Sequence, residues 1–452
     1  MSGVVGIYGP QGSHVAQDLY YALYALQHRG QLTCGMAVNQ GGKIETLKGM
    51  GLIHDVVGDK DIPHLLGNFG IGHIKSSTSF EAPNKYNVEP MTVRYKHGSI
   101  SCCSDGEIVN YKQLRAQLEN KGALFQTELN AELVAFLIAR YQKNGFKQAL
   151  LKTIEKLQGS YCLVGMSQEA LWVARDSHGI KPLTLGTYED HWIVASESCA
   201  IETIGGQVVR DVLPGEIIYI DKDGLQTLSH QPNQRALCLF ELVYLSRPDS
   251  TIDDRSVYMT RVEIGKQLYR EHPIADADIV IGAPDSGIIP AIGYAQASKI
   301  PYAEGLIKNR YIGRTFIEPT LVQRENEVRI KLNPLKENIK GKRVILVDDS
   351  IVRGTTMKRT VKMLYAAGAK AVHLAIASPP VSESCHLGLN TPYVDELYAH
   401  SRSIEAMKED LGVDSLSFIS IEGILKAAGG ENGFCKGCFN GIYPVDKVEV
   451  DK

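Results

Sequence analysis

Residues 344–347, Val-Ile-Leu-Val, form an apolar β-branched run that stops on Asp348 and Asp349, and this junction constrains the second half of the chain more than any other stretch. Such a run suits a buried parallel strand. A turn containing Ser350, Arg353, Gly354, Thr355 and Thr356 follows, and 358–367 reads as a helix, so the two acids lie in a strand-to-helix loop. In open α/β sheets these loops gather at the carboxyl ends of the strands, where ligands bind. Gly354, Thr355 and Thr356 can offer backbone N–H groups and hydroxyls to a phosphate at a helix N-terminus. Like charge keeps Asp348 and Asp349 off that phosphate; they suit ribose hydroxyls or Mg²⁺. An isolated Asp-Asp-Ser is more often only a turn and a helix cap.

The rest of the chain sets the class. At 452 residues there is length for two or three domains with separate cores. A charged fraction of 22% and a net charge of −3 give no basic surface for nucleic acid. No stretch approaches the roughly 20 apolar residues of a spanning helix, and no basic segment precedes an apolar run at the start. A cytoplasmic protein without nucleic-acid or membrane partners is therefore expected. Nine cysteines in such a chain point to free thiols, metal ligation or catalysis rather than a disulfide framework.

In the first half, 2–8 reads as a strand and 15–28 as a helix. Strand-like runs follow at 36–38, 69–74, 91–95 and 99–103, helices at 130–142 and 146–157, and a hairpin at 161–166 and 171–174. This mixture predicts a layered α+β domain. The proline-containing stretch 226–235 reads as a linker. Beyond it the spacing predicts a helix over 256–269, a strand at 279–281 ending in the polar turn Ala283-Pro-Asp-Ser-Gly287, part of a helix at 294–298, an approach to a strand at 303–306 and a strand at 371–377. The alternation predicts a mostly parallel, doubly wound sheet.

Several motifs carry a resemblance. The string from Arg343 to Thr356 resembles the phosphoribosyl-pyrophosphate (PRPP) loop of type I phosphoribosyltransferases. Ala25-Leu-Gln-His-Arg-Gly-Gln31, Gly72-His-Ile-Lys-Ser-Ser-Thr78, Ala174-Arg-Asp-Ser-His-Gly-Ile-Lys-Pro-Leu183, Ser196-Glu-Ser198 and Arg210-Asp-Val-Leu-Pro-Gly215 resemble the glutaminase domain of the glutamine-dependent amidophosphoribosyltransferase family. The resemblance implies a four-layer αββα N-terminal-nucleophile hydrolase domain over 2–230, followed by an α/β type I phosphoribosyltransferase domain with a mostly parallel sheet over 231–452.

Four positions depart from the glutaminase pattern. Ser2 stands where the family has a cysteine whose freed α-amino group acts as base, and a hydroxyl is the weaker nucleophile. Asp105-Gly106-Glu107 replaces Asn-Gly-Asn, turning an oxyanion-hole donor into a carboxylate, where loss of one donor alone costs about 100- to 1000-fold. Asn130 replaces the acid that holds the α-ammonium of glutamine. Lys75 replaces the arginine that forks onto its carboxylate. Arg29 and Gly106 remain. Together these changes predict a degenerate glutamine pocket; the competing readings are a serine nucleophile at Ser2 and a pocket retuned for another ligand.

In the second half, Lys308-Asn-Arg-Tyr-Ile-Gly-Arg-Thr-Phe316 could by itself be a solvated loop, yet it resembles the flexible loop that closes over PRPP in this family. By that resemblance Lys308, Arg310 and Arg314 neutralise the departing pyrophosphate and closure excludes water. Arg329, Lys331 and Arg353 are further cationic candidates. Cys435-Lys-Gly-Cys438 has metal-ligand spacing, and Cys238 and Cys385 could complete four thiolates, with zinc and iron–sulfur both open from spacing. The flanking residues resemble the family branch that holds a [4Fe-4S] cluster on these four positions. Cys34, Cys102, Cys103, Cys162 and Cys199 read as core thiols.

The expectation is thus an enzyme that forms 5-phosphoribosylamine from PRPP with Mg²⁺, the first step of purine synthesis, using ammonia, free or from a partner glutaminase, in place of glutamine. Asp348 and Asp349 orient the ribose, Ser350, Arg353 and 354–356 hold the substrate, and Ser286 with Asp348 and Asp349 places Mg²⁺. A homo-oligomer is expected. The rivals are a silent regulatory paralogue and a salvage enzyme that transfers phosphoribosyl to a nucleobase.

Overall fold

The computed structural model describes residues 2–76, 84–309, 332–430 and 432–448. The first half is built on two antiparallel sheets laid face to face. Ser2–Tyr8 lies inside the first, a seven-stranded sheet, flanked by His191–Ala195 and Phe69–Lys75. Gly98–Ile108, Gly159–Met166 and Leu171–Arg175 form the middle of the second, six-stranded sheet. Val4, Ile71, Cys103, Cys162, Val164, Val173 and Val194 fill the space between them. Alternation along each strand sends the other apolar set outward. On one side Ala16–Ala25 and Ser198–Thr203 cover it; on the other Tyr111–Glu119, Asn130–Tyr141 and Phe146–Ile154 do so. These are the four layers expected.

The second half is a parallel sheet of Ile279–Gly282, Arg343–Asp348, Ala371–Ile376 and Ser415–Phe418, in that spatial order. Val280, Ile345, Val347 and Ala375 face Val257–Glu271 and Ile288–Ser298. Ile279, Ile281, Val344, Leu346, Val372 and Leu374 face Thr355–Ala366 and Ile404–Leu411. Both faces are covered, which is why these strands read as continuous apolar runs. Tyr302 bridges Val280 in parallel on the outer side. The chain therefore steps outward from Ile279–Gly282 to Tyr302 and then back across to Arg343–Asp348. That reversal is a topological switch point, and it places the loops after Gly282 and after Asp348 side by side.

Three expectations need correction. The stretch 226–230 belongs to the strand Gly224–His230, which pairs with Glu216–Asp221, so only the residues after it act as a connector. The approach to a strand at 303–306 resolves into Leu306–Lys308, paired antiparallel with Leu332–Pro334 and outside the parallel sheet. The helix expected over 358–367 starts three residues earlier, at Thr355. Among the described residues no helix is long and apolar enough to cross a membrane.

The two halves are bolted together by Arg29, which is fully buried. Its guanidinium donates to Asp105 at 3.1 Å, Glu197 at 2.8 Å, both oxygens of Glu241 at 2.9 and 3.0 Å, and the carbonyl of Ser2 at 2.7 Å. Glu197 in turn accepts from the Arg247 N–H and from Ser250 Oγ. Burial alone would lower the Arg29 pKa, but Glu241, Asp105 and Glu197 outweigh it and raise it well above the ordinary value. Removing one partner from such a set strands the others in a dry interior, at about 3–5 kcal/mol. Arg29→Met is expected to lower unfolding free energy by about that amount in a denaturant titration, while a surface control, Lys43→Met, changes it by less than about 0.5 kcal/mol.

Candidate functional site

Three constellations stand out. The first lies at the switch point. Asp349 is buried and accepts from Ser286 Oγ at 2.5 Å and Ser350 Oγ at 2.6 Å, while its own N–H donates to Asp348 at 2.9 Å. Ser286 and the acid pair, 63 residues apart in sequence, thus meet as expected. Burial, and then the charge of Asp349, raise the Asp348 carboxyl well above the usual range. The neighbouring Asp349 carboxylate thus favours a protonated Asp348 until a cation relieves the pair. Gly354 takes a positive φ of 73°, and a Cβ there would meet the Tyr398 ring at 2.7 Å, so glycine is required to turn the chain into the helix. Thr355 and Thr356 open that helix exposed, their N–H groups available to a phosphate.

Around this centre the cations divide. Lys308 contacts Asp285 across the loop after Ile279–Gly282, and both line a cavity of about 450 Å³ with Tyr302 and Glu304. Arg353 is turned to Glu396, 3.0 Å from Nε, and not toward the acid pair. Arg310, Arg314, Arg329 and Lys331 lie outside the described residues. Glu304 and Tyr302, missed in the sequence, come into the cavity only because the 302 bridge sets them beside the first parallel strand.

The second constellation is a cavity of about 250 Å³ lined by Ser2, Lys75, Gly106, Asn130 and Glu128 from the first half and by Cys385, His386, Gly388, Leu389 and Asn390 from the second. Three of the four departing positions, Ser2, Lys75 and Asn130, gather here, whereas Asp105 points inward. Its carboxylate accepts from the Ser2 backbone nitrogen at 2.9 Å and from Arg29, and it is fully buried. Burial pushes its pKa up, and Arg29 and Lys181 pull it further down, so it stays ionised. Gly388 approaches so closely that a Cβ would stand 2.7 Å from Gly106 Cα. The wall formed by 385–390 was not legible in the sequence, because no motif signals a contact between segments nearly 300 positions apart.

The third constellation is the cysteines. Cys238 and Cys435 are neighbours on the parallel ladder Leu237–Cys238 with Phe434–Cys435, and Cys438 sits in the short helix Gly437–Asn440. All four candidate thiols are free, and the thiols of Cys238 and Cys435 are pushed up to about 12 and 11 by burial, then by neighbouring thiols among other groups. The Leu387 N–H donates to Cys385 Sγ at 3.3 Å, and the fully buried Lys181 lowers the thiols of Cys238, Cys385 and Cys435 electrostatically. Burial thus keeps the free thiols protonated, and a metal that bound them would have to displace their protons, with Lys181 offsetting part of the resulting charge. Among the described residues no three acidic, histidine or cysteine side chains converge on a single ion. A lone zinc at about 2.3 Å would need its sulfurs roughly 4 Å apart; a multi-iron cluster accepts a wider set. The five remaining cysteines are buried.

The raised Asp348 has a sign that can be checked. A carboxyl whose pKa is raised by folding favours the fold below its unfolded value and loses that contribution as pH climbs through the folded value. At pH 7 without ligand, Asp348 therefore opposes folding. Asp348→Asn is expected to raise Tm by about 2–4 °C at pH 7 and to leave it unchanged at pH 3, measured by calorimetry.

Residues 77–203 match the Glutamine amidotransferase domain family and 263–378 the Phosphoribosyl transferase domain family. The chain is 44% identical to the amidophosphoribosyltransferase of Methanothermobacter thermautotrophicus, over 98% of this chain and 94% of that one. It is 45% identical to that of Archaeoglobus fulgidus over 98% of both. The solved glutamine phosphoribosylpyrophosphate (PRPP) amidotransferase from B. subtilis, complexed with ADP and GMP, superposes with a TM-score of 0.92 at 42% identity, covering 99% of this chain and 98% of the other. With both domain families in order and relatives aligned from end to end, the chain belongs to the amidophosphoribosyltransferase family.

Proposed function

We propose that the protein forms 5-phosphoribosylamine from PRPP, the first step of purine synthesis, and that it takes its nitrogen from ammonia, free or delivered by a partner glutaminase. The observation that carries the transferase half is the switch-point cluster, where Ser286 meets Asp349 at 2.5 Å beside the helix opened by Thr355. Asp348 and Asp349 accept the ribose hydroxyls and, with Ser286, place Mg²⁺. A magnesium ion held by one or two carboxylates completes its shell with substrate phosphates and water, which fits this donor set. The 354–356 turn binds the 5′-phosphate, and Lys308 leaves Asp285 for the pyrophosphate. The amine lone pair forms the C1–N bond as the C1–O bond breaks and its electrons leave with pyrophosphate, after which the new ammonium gives up a proton.

The ammonia half rests on the pocket. A freed amine at residue 2 would stand 2.9 Å from an ionised, buried Asp105. That carboxylate stabilises the ammonium and so weakens the amine as the base that must activate a nucleophile. The residue that would supply oxyanion stabilisation is the same Asp105, now committed to Arg29 and Ser2. Residues 2–230 form the altered glutaminase domain and 231–452 the transferase domain. Cys238, Cys385, Cys435 and Cys438 would hold a [4Fe-4S] cluster whose chemistry here is structural, tying distant segments together.

Four measurements test this. PRPP-dependent pyrophosphate release is expected with ammonium at alkaline pH and not with glutamine, and a diazo-ketone glutamine analogue should leave Ser2 unlabelled; stoichiometric labelling would instead establish Ser2 as a working nucleophile. Asp349→Ala is expected to reduce the ammonium-dependent rate by at least about 100-fold at saturating substrate. Iron analysis should find about four irons per chain, and zinc alone would reverse the cofactor assignment.

A further inference from the structure

The cavity beside Ser2 and the cysteine group share a wall. Of the four candidate ligands, Cys385 alone lines that cavity; Cys238, Cys435 and Cys438 are 8%, 9% and 7% exposed and lie behind it. The wall is held in place from several sides. Cys385 N–H donates to Thr391 Oγ1 at 2.7 Å, Ser384 Oγ donates to the Pro392 carbonyl at 2.8 Å, and Tyr443 donates to the Ser384 carbonyl at 2.9 Å. On the other side the Gly388 carbonyl accepts from Lys181 at 3.4 Å, and Gly388 lies flat on Gly106. Cys385 thus lines the cavity on a braced segment, and Glu128 stands exposed beside the same cavity.

We propose that this cavity is the entry route to the cysteine group, with Cys385 as the thiol that small electrophiles and metal chelators meet first. The inference rests on reading the four cysteines as one metal-holding group, and it adds a role for the pocket beside Ser2: whatever fills it shields Cys385. An occupant of the pocket therefore slows the approach of electrophiles and chelators to Cys385. With an alkylating agent the step is simple. The Cys385 thiolate attacks the methylene carbon of iodoacetamide, the C–S bond forms, the C–I bond breaks and iodide leaves.

The test uses the full chain under anaerobic conditions. After metal is removed with a chelator, brief iodoacetamide labelling followed by peptide mass spectrometry should modify Cys385 about tenfold faster than Cys238, Cys435 or Cys438, because reactivity follows thiolate exposure. Glu128→Trp, which places a large ring over the mouth, should slow both Cys385 labelling and the chelator-driven loss of visible absorbance at least about fivefold, whereas Glu128→Ala should slow neither. Equal labelling of the four cysteines, or a Glu128→Trp protein that labels like the unaltered chain, overturns the route. Absence of metal in the purified protein would remove the cofactor assignment, while the labelling order would still decide whether the cavity leads to Cys385.

Discussion

The buried guanidinium of Arg29 is the contact on which the relation between the two halves depends. It satisfies three carboxylates that would otherwise be charged and dry, and those carboxylates come from Gly98–Ile108, from the start of Ser198–Thr203, and from Glu241 beyond the connector. Lys181 adds a second cation against Glu241 at 3.6 Å. Inside this fully buried set three anions face two cations, and two neutral-capable donors join them: His28 Nε2 lies 2.7 Å from Glu197 and the Ser2 N–H donates to Asp105 at 2.9 Å. A buried network of this kind contributes little net stability compared with apolar packing, but it punishes any other arrangement. It fixes which surface of the first half meets which surface of the second.

How much of this the sequence disclosed follows from how local each signal is. The strand 344–347 and the acids after it were readable because apolar run, carboxylates and glycine turn occur within a dozen residues, and Gly354 does take the left-handed conformation its place in the turn demands. The helices 130–141 and 257–271 were readable from their periodicity, the latter with Ser256 as its cap. By contrast, Lys43–Met50 and Gln207–Asp211 gave no expectation, because half-exposed edge strands mix polar and apolar residues without strict alternation; Glu216–Asp221, buried between Leu171–Arg175 and Gly224–His230, gave none either. The stretch 226–230 was misread for the same reason: Pro232 coloured the reading of the residues before it, which pair with Glu216–Asp221.

The sites show the same division. Resemblance placed Ser2, Lys75, Gly106 and Asn130 in one pocket, and the structure does gather them. It did not foresee that Asp105 would turn inward to Arg29, or that Arg353 would be taken by Glu396, since both depend on partners distant in sequence. The acid pair was legible as a pair; the raised Asp348 was not, because its cause is burial, which only the assembled sheet supplies.

The short parallel ladder that joins Leu237–Cys238 to Phe434–Cys435 has a consequence for how the chain comes into being. Its two strands lie almost two hundred positions apart, so during synthesis the earlier strand has no partner until Phe434 and Cys435 have left the ribosome. At about 5–20 residues per second that delay is on the order of ten seconds or more. Through this interval Leu237, Leu239, Phe240 and Leu242, all buried in the finished molecule, belong to a nascent surface that the first half cannot cover alone. The first half can close its own sheets early, but the junction is completed last, and a chaperone that guards the nascent chain has its clearest task at this seam.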